Sequence, residues 1–168
     1  MKAFRLEFML FLYKGSSRIY AELFKGNKVA WRISKQDFLD YPKDTLGFAL
    51  GMFYLENGFD VMPKLENHDV FHLLTNTGTE ITDEIAMQYL LLGNGKISLY
   101  LIAMIFIGTL LFPEQSSYYW SSFKNGKSML KFYPIEFKYF LSESFIDLQK
   151  SFYKHQLIIQ SNPIKHGK

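Results

Sequence analysis

The chain has 168 residues, of which 48% are apolar, with 17 Phe, 11 Tyr, no cysteine and a net charge of +3. This length fits one domain, the aromatic content excludes a disordered chain, and the missing cysteines exclude disulfides, thiolate metal sites and thiol catalysis. The small positive charge suits an anionic membrane surface but is too weak for a nucleic-acid binder. We therefore expect one helical domain over 1–168, with a frayed tail at 162–168.

The apolar periodicity predicts helices along nearly the whole chain. Residues 1–12 are apolar but carry three charges and precede no small-residue cleavage site, which indicates an amphipathic helix and neither a signal nor a transit peptide. Ser34 to Asp37 resembles a capping box that opens a short helix, which must end before Pro42. Thr45 is expected to cap the next helix, which ends at Gly58.

The middle of the chain predicts a helical hairpin followed by an apolar helix. One helix should begin near Glu66 and fade at 76–78, and Thr82 should cap the next, which ends at 93–95. Residues 97–112 form a run of 16 without a charge. Because a membrane span needs about 20 residues and at least ~17, this run predicts a buried helix, with an interfacial helix as the alternative.

Two more helices are expected toward the C-terminus. One contains the aromatic residues 118–120 and ends near Gly126, and the last long helix begins at Pro134 and reaches Phe152. The aromatic residues indicate a homodimer contact or a membrane contact. No stretch alternates as a strand does, so the fold class predicted is all-α, a single-domain bundle of about six to eight helices.

A metal site is indicated by the motif His68-Asp69-Val70-Phe71-His72. At about 100° per residue, His68, Asp69 and His72 lie within roughly 100° of one helical face. Glu84 follows 12 residues after His72, in the first turn of the next helix, where the helix dipole keeps a carboxylate ionised. Two imidazoles with carboxylates predict one divalent metal, with zinc favoured and iron(II) or manganese as alternatives.

These residues resemble the coenzyme Q biosynthesis protein 4 family, whose hallmark is H-D-x-x-H, eleven residues and then E. Residues 68–75, Gly78-Thr79 and Glu84-Ile85 carry the resemblance. Residues 41–47 and 123–127 are also similar to family segments, so the resemblance spans roughly 41–157. Asn76 stands where many members have glycine, and the short chain indicates a bacterial form.

The resemblance implies a protein of ubiquinone biosynthesis that binds a polyprenyl quinone precursor or another isoprenoid lipid. It favours an enzyme that removes the C1 carboxyl group of a polyprenylated hydroxybenzoate, with hydroxylation at that carbon. It also implies contact with other quinone biosynthesis proteins and a cytoplasmic location, peripheral to the bacterial inner membrane. Lys124 and Lys127 are candidates for the substrate head group. The expected lipid-binding residues are Met87, Leu91, Leu99, Ile102, Ala103, Phe106 and Leu110.

Two other functions fit the same motif. A non-enzymatic prenyl-lipid carrier, or a scaffold for the biosynthetic complex, would use a structural metal with a closed ligand shell, whereas catalysis needs an open position. A metal-dependent hydrolase is disfavoured, because Asp69 replaces the glutamate that the zincin motif H-E-x-x-H uses as a base. A phosphohydrolase would need additional His and Asp ligands, and outside the motif only His155 and His166 remain.

Overall fold

The fold is a helical bundle, known from a computed structural model that describes residues 4, 5, 7–9, 11 and 29–153. Between 29 and 153 there are seven α-helices, two short 3-10 helices at Pro113–Gln115 and Phe137–Phe140, and no sheet. The predicted all-α class is confirmed. The predicted frayed tail lies outside the described residues. The α-helices are α1 (Lys35–Leu39), α2 (Leu46–Glu56), α3 (Glu66–Thr75), α4 (Ile81–Gly93), α5 (Leu99–Leu111), α6 (Ser116–Ser128) and α7 (Phe145–Phe152).

Several helix ends follow the local signals in the sequence. Ser34 Oγ accepts a hydrogen bond from the Asp37 N–H at 3.2 Å, and the Asp37 carboxylate accepts one from the Ser34 N–H at 2.9 Å. Thr45 caps α2. Helix α3 ends at Asn76, whose φ of +50° lies in the left-handed region. Glycine adopts this conformation freely and asparagine tolerates it, so Asn76 can end the helix in this turn.

Helices α4 and α6 touch through their backbones. A Cβ atom at Gly126 would collide with the carbonyl oxygen of Leu90, and one at Gly93 would collide with the carbonyl oxygen of Phe123. The helix was predicted to end near Gly126, and α6 ends two residues later, at Ser128. The glycine serves the close approach of two helices.

The prediction of one long helix from Pro134 was wrong, because a 3-10 helix at Phe137–Phe140 and the separate helix α7 take its place. The Asn67 side chain donates to the carbonyl of Ile135 at 2.7 Å and accepts from the N–H of Phe137 at 2.9 Å. Further on, the carbonyls of Leu141 and Glu143 accept from the N–H groups that begin α2. Since these backbone groups are bonded to other elements, they cannot form a continuous helical ladder.

The start of α4 differs from the prediction by a few residues. Its N-cap is Glu80, whereas Thr82 was expected there. The reason is that the Asp83 carboxylate accepts a hydrogen bond from the Glu80 N–H at 3.2 Å, which starts the helix one turn before Asp83. Thr82 therefore lies inside the first turn.

Helix α5 is buried on one face only. Leu101, Met104 and Gly108 pack into the bundle, and a Cβ at Gly108 would lie 2.6 Å from Ile85 of α4. The opposite face is open: Leu99 is 84% exposed and Phe106 is 69% exposed. The predicted burial is therefore confirmed for one face of α5 and wrong for the opposite face.

The described N-terminal residues are helical, as predicted. Met9 is buried, and Arg5 donates to the carbonyl of Leu111 at 2.8 Å and pairs with Glu114 at 3.0 Å. This attaches the N-terminal segment to the C-terminal end of α5.

No single described helix is long and apolar enough to cross a membrane. Among the helices that the structure describes, one pair, Leu99–Leu111 with Pro113–Ser128, reaches the required length and composition together, and it is bent by 105°. The two helices follow each other directly in the sequence, and α5 is the more apolar of the two.

Candidate metal centre

Three side chains from the α3–α4 hairpin meet in one place. His68 and His72 project from α3, and Glu84 projects from the first turn of α4. The Nε2 atoms of the two imidazoles are 3.3 Å apart. Glu84 Oε2 lies 3.1 Å from His68 Nε2, and Glu84 Oε1 lies 3.3 Å from His72 Nε2. One ligand atom from each residue can be chosen so that all three lie within 4.8 Å of one another, a grouping that can hold a metal ion.

Asp69, the fourth residue of the motif, points to a different partner. Its Oδ2 accepts a hydrogen bond of 2.8 Å from the hydroxyl of Tyr54, a buried residue of α2. It is absent from the group of converging ligand atoms. Its charge nevertheless contributes to raising the pKa of His72, so the carboxylate lies near the site.

The backbone beyond α3 fixes the orientation of His72. Its Nδ1 lies 2.9 Å from the carbonyl oxygen of Gly78 and 3.2 Å from that of Thr77. Because a carbonyl can only accept, Nδ1 carries the proton and donates it. In the neutral ring, Nε2 then presents its lone pair toward Glu84 and His68, as a metal ligand must.

Burial and mutual charge set the protonation of the site. Burial favours a neutral Glu84, but the two imidazoles outweigh it and hold the pKa of Glu84 well below its usual value. Burial also opposes a charge on His72, yet the hydrogen bond and charge of Glu84 raise its pKa to about 9. Burial keeps the pKa of His68 below its usual value. At neutral pH the metal-free site thus holds an ionised Glu84 and a protonated His72.

The lipid-binding candidates occupy two different environments. Met87 and Leu91 are fully buried in the core, on α4. The remaining candidates all lie on α5 and are exposed: Leu99, Ile102, Ala103, Phe106 and Leu110. The structure therefore brings the α5 candidates together on one surface and separates them from the α4 candidates.

The head-group candidates lie toward the far end of α4. The backbone of Lys127 packs against Gly93, nine residues or about 13 Å along the helix from Glu84. Lys124 places its ammonium 5.8 Å from the ring centre of Trp120. Lys96 is a cation that sequence reasoning missed: its charge helps to lower the pKa of His68. No motif marks this lysine, because only the fold brings its charge within electrostatic range of His68.

The family model described as coenzyme Q (ubiquinone) biosynthesis protein Coq4 matches residues 56–156, more than half of the chain. The matched range contains His68 and His72 of the motif together with Asp69 and Glu84, whereas the similar residues 41–47 lie outside it. No curated protein matches the chain.

Proposed function

The chain belongs to the family of the coenzyme Q (ubiquinone) biosynthesis protein Coq4, which gives it a role in ubiquinone biosynthesis, and we propose that it is a metal-dependent enzyme of that pathway. The proposed reaction replaces the C1 carboxyl group of a polyprenylated hydroxybenzoate by a hydroxyl group. The carboxyl carbon leaves as carbon dioxide, with dioxygen as the oxidant and a two-electron reductant from outside the protein. The convergence of His68, His72 and Glu84 supports the proposal most strongly.

The donor set fits one divalent metal. Two imidazole nitrogens and a carboxylate are common ligands of catalytic zinc and also suit iron(II) or manganese. When bound, such an ion would supply Lewis-acid polarisation of the ring carboxylate or phenolic oxygen. Glu84 contributes the negative charge, and the hydrogen bond from Nδ1 of His72 leaves Nε2 as the ring nitrogen that would bind the metal once its proton is lost.

We propose Asp69 as the fourth metal ligand. In that role its carboxylate would exchange the hydrogen bond from Tyr54 for the metal. Tyr54→Phe then leaves metal affinity unchanged or raises it, whereas Asp69→Asn lowers it. If Tyr54→Phe weakens binding as much as Asp69→Asn does, Asp69 acts through Tyr54 as a supporting residue and the four-ligand set is wrong.

We also propose that the exposed face of α5 lies against the membrane surface, so that the prenyl tail of the substrate stays in lipid. The face is about 20 Å long and carries no charge. Apolar surfaces of this kind mark interaction sites, and the net positive charge favours anionic lipid. The test is sedimentation with anionic vesicles, in which Phe106→Ser with Leu110→Ser loses binding and Ile146→Ser, an exposed control on α7, retains it. Equal binding of wild type, the double variant and Ile146→Ser would overturn this assignment. If the wild type instead self-associates and the double variant does not, the face belongs to a homodimer contact.

A second function, a prenyl-lipid carrier or scaffold with a structural metal, is favoured by one observation. The side chains of His72 and Glu84 are only 2% and 9% exposed. A structural metal site is closed in this way, whereas a catalytic ion keeps a position for substrate. The two functions differ in turnover, because a carrier would bind the prenylated benzoate and release no carbon dioxide.

The deciding experiment is elemental analysis of the purified protein with organic extraction of bound lipid. His72→Ala is the test variant, and His155→Ala is the control histidine outside the motif. About one equivalent of metal that is lost only in His72→Ala, with a co-purified prenyl lipid, supports the proposal. Incubation with a carboxyl-labelled substrate, dioxygen and a reductant then distinguishes enzyme from carrier by the labelled carbon dioxide. A wild-type protein that takes up no metal even after reconstitution would overturn the metal centre.

A further inference from the structure

We propose that Asp83 and Tyr118 are positioning residues of the metal centre: together they fix the turn whose carbonyl groups orient His72. Neither side chain belongs to the metal motif. The inference rests on the proposed metal-binding function, because one of its tests measures zinc affinity. The orientation of His72 can be tested without metal.

The outer link joins α6 to α4. The hydroxyl of Tyr118, in the first turn of α6, donates to Asp83 Oδ1 at 2.8 Å. Tyr118 itself is 37% exposed. The bond directs one carboxylate oxygen toward α6 and leaves the other, Oδ2, for the turn that precedes α4.

Asp83 Oδ2 makes the middle link. It accepts the Glu80 N–H at 3.2 Å and occupies the space next to Gly78, where a Cβ atom would collide with it. The carboxylate therefore fills the place of a side chain at position 78 and defines how closely the turn approaches α4. Any side chain at that position would displace Asp83.

The inner link reaches the imidazole. Gly78 lies beside Asp83 Oδ2, and its carbonyl is the nearer of the two acceptors for the His72 Nδ1–H, at 2.9 Å. Partners of this kind fix the tautomer and the ring plane of a metal-binding histidine. The order of contacts is thus Tyr118, Asp83, Gly78 and His72, and it runs from α6 to the ligand atom.

Other bonds keep the turn folded when this chain of contacts is broken. The Thr77 hydroxyl bonds to that of Thr75 at 2.7 Å, and the Thr79 hydroxyl donates to Asn57 at 3.3 Å. Loss of the Tyr118 hydroxyl should therefore loosen the Gly78 carbonyl without unfolding the hairpin. This makes the positioning role separable from a role in stability.

The experiment compares Tyr118→Phe and Asp83→Asn with Tyr89→Phe. The control removes a similar hydroxyl from α4, where Tyr89 bonds to Thr109 at 2.7 Å, away from the site. Proton–nitrogen NMR of the metal-free proteins reports the protonation of the two His72 ring nitrogens and how fast the Nδ1–H proton exchanges. Zinc competition against a chelator and the visible spectrum of the cobalt(II) form report the ligand geometry.

We expect the His72 Nδ1–H to exchange faster in Tyr118→Phe and Asp83→Asn than in wild type and Tyr89→Phe. Zinc affinity should fall by about tenfold in Asp83→Asn, at the lower end of what such partners typically contribute, and by only about threefold in Tyr118→Phe, which lies one contact further from His72. The cobalt(II) spectrum should shift in both.

The proposal is overturned if the His72 signals and the zinc affinity stay within twofold of wild type in both variants. It is also overturned if Tyr89→Phe has the same effect, since the losses would then report general stability. If wild type binds no zinc, the proposed metal function fails by itself, and the NMR comparison alone decides the positioning role.

Discussion

Metal binding should become much stronger as the pH rises, because a proton and the metal compete for His72. Glu84 raises the pKa of this imidazole to about 9, and its Nε2 faces the Glu84 carboxylate at 3.3 Å. A metal must displace the proton from that nitrogen before it can bind. The pKa of Glu84 is well below its usual value and that of His68 is also lowered, so His72 dominates between pH 6.5 and 8.5.

The magnitude follows from the pKa of about 9 for His72. At pH 7 only about 1% of the metal-free protein has a neutral His72, and each unit of pH changes that fraction about tenfold. The apparent Kd should therefore fall about tenfold per pH unit up to about pH 9 and then level off. About one proton should be released for each metal ion bound.

Isothermal titration with zinc, in buffers of different ionisation enthalpy, measures both quantities together. A chelator competition at each pH corrects for zinc bound by the buffer. His72→Ala is expected to bind weakly with little pH dependence, because the competing proton is gone. An apparent Kd that changes less than twofold between pH 6.5 and 8.5, or binding without proton release, would refute the reasoning.

Two further predictions concern the packing that holds α4 in place. Gly126→Ala should destabilise the fold by roughly 1–3 kcal/mol or more in chemical denaturation, because the new methyl group meets the Leu90 carbonyl; Gly58→Ala is the control, which meets no atom within 4 Å and suffers only from its φ of +65°. Asn94→Ala should cost roughly 2–4 kcal/mol, since this buried side chain bonds two carbonyls and two N–H groups of the segment 126–133. A loss below about 1 kcal/mol in either variant would contradict the assigned contact.

The helical hairpin that carries the site could be predicted because its signals are local. The spacing of the histidines, the turn residue Asn76 and the acidic first turn of α4 all lie within 20 residues. The direction of Asp69 could not be predicted in this way. Its position on the helix fits the site, but Tyr54, from another helix, binds its carboxylate.

Errors elsewhere share a physical cause. The expected last helix is interrupted because Asn67, some 70 residues earlier, bonds to its backbone. Likewise, the uncharged run of 97–112 predicted burial because water disfavours apolar side chains, yet the bundle covers only one face of α5. Periodicity reports that a segment is helical, whereas tertiary partners determine where it stops and which face is covered.

The metal centre and the exposed face of α5 lie on different sides of α4. Glu84 turns toward α3, and the next residue, Ile85, packs against Gly108 of α5. A substrate that bound both regions could not pass through this packed helix, and we expect it to pass around the C-terminal end of α4. Lys96 lies there, between the last turn of α4 and the start of α5, and its charge acts on His68.

Lys96 is therefore the cation expected to meet the substrate carboxylate as the prenyl tail leaves toward α5. Lys96→Met should weaken binding of a short-chain prenyl hydroxybenzoate by about tenfold, as expected for one charge-assisted hydrogen bond of roughly 1.5 kcal/mol, and should leave the metal content unchanged. Lys131→Met is the matched control. Lys131 is an exposed lysine near Gly95, the residue before Lys96: its Cε lies 3.3 Å from where a Cβ atom on Gly95 would be. A decarboxylated analogue should bind both variants and wild type equally. If Lys96→Met binds the carboxylated compound as wild type does, the substrate must approach the metal from another side, and the exposed face of α5 serves the membrane alone.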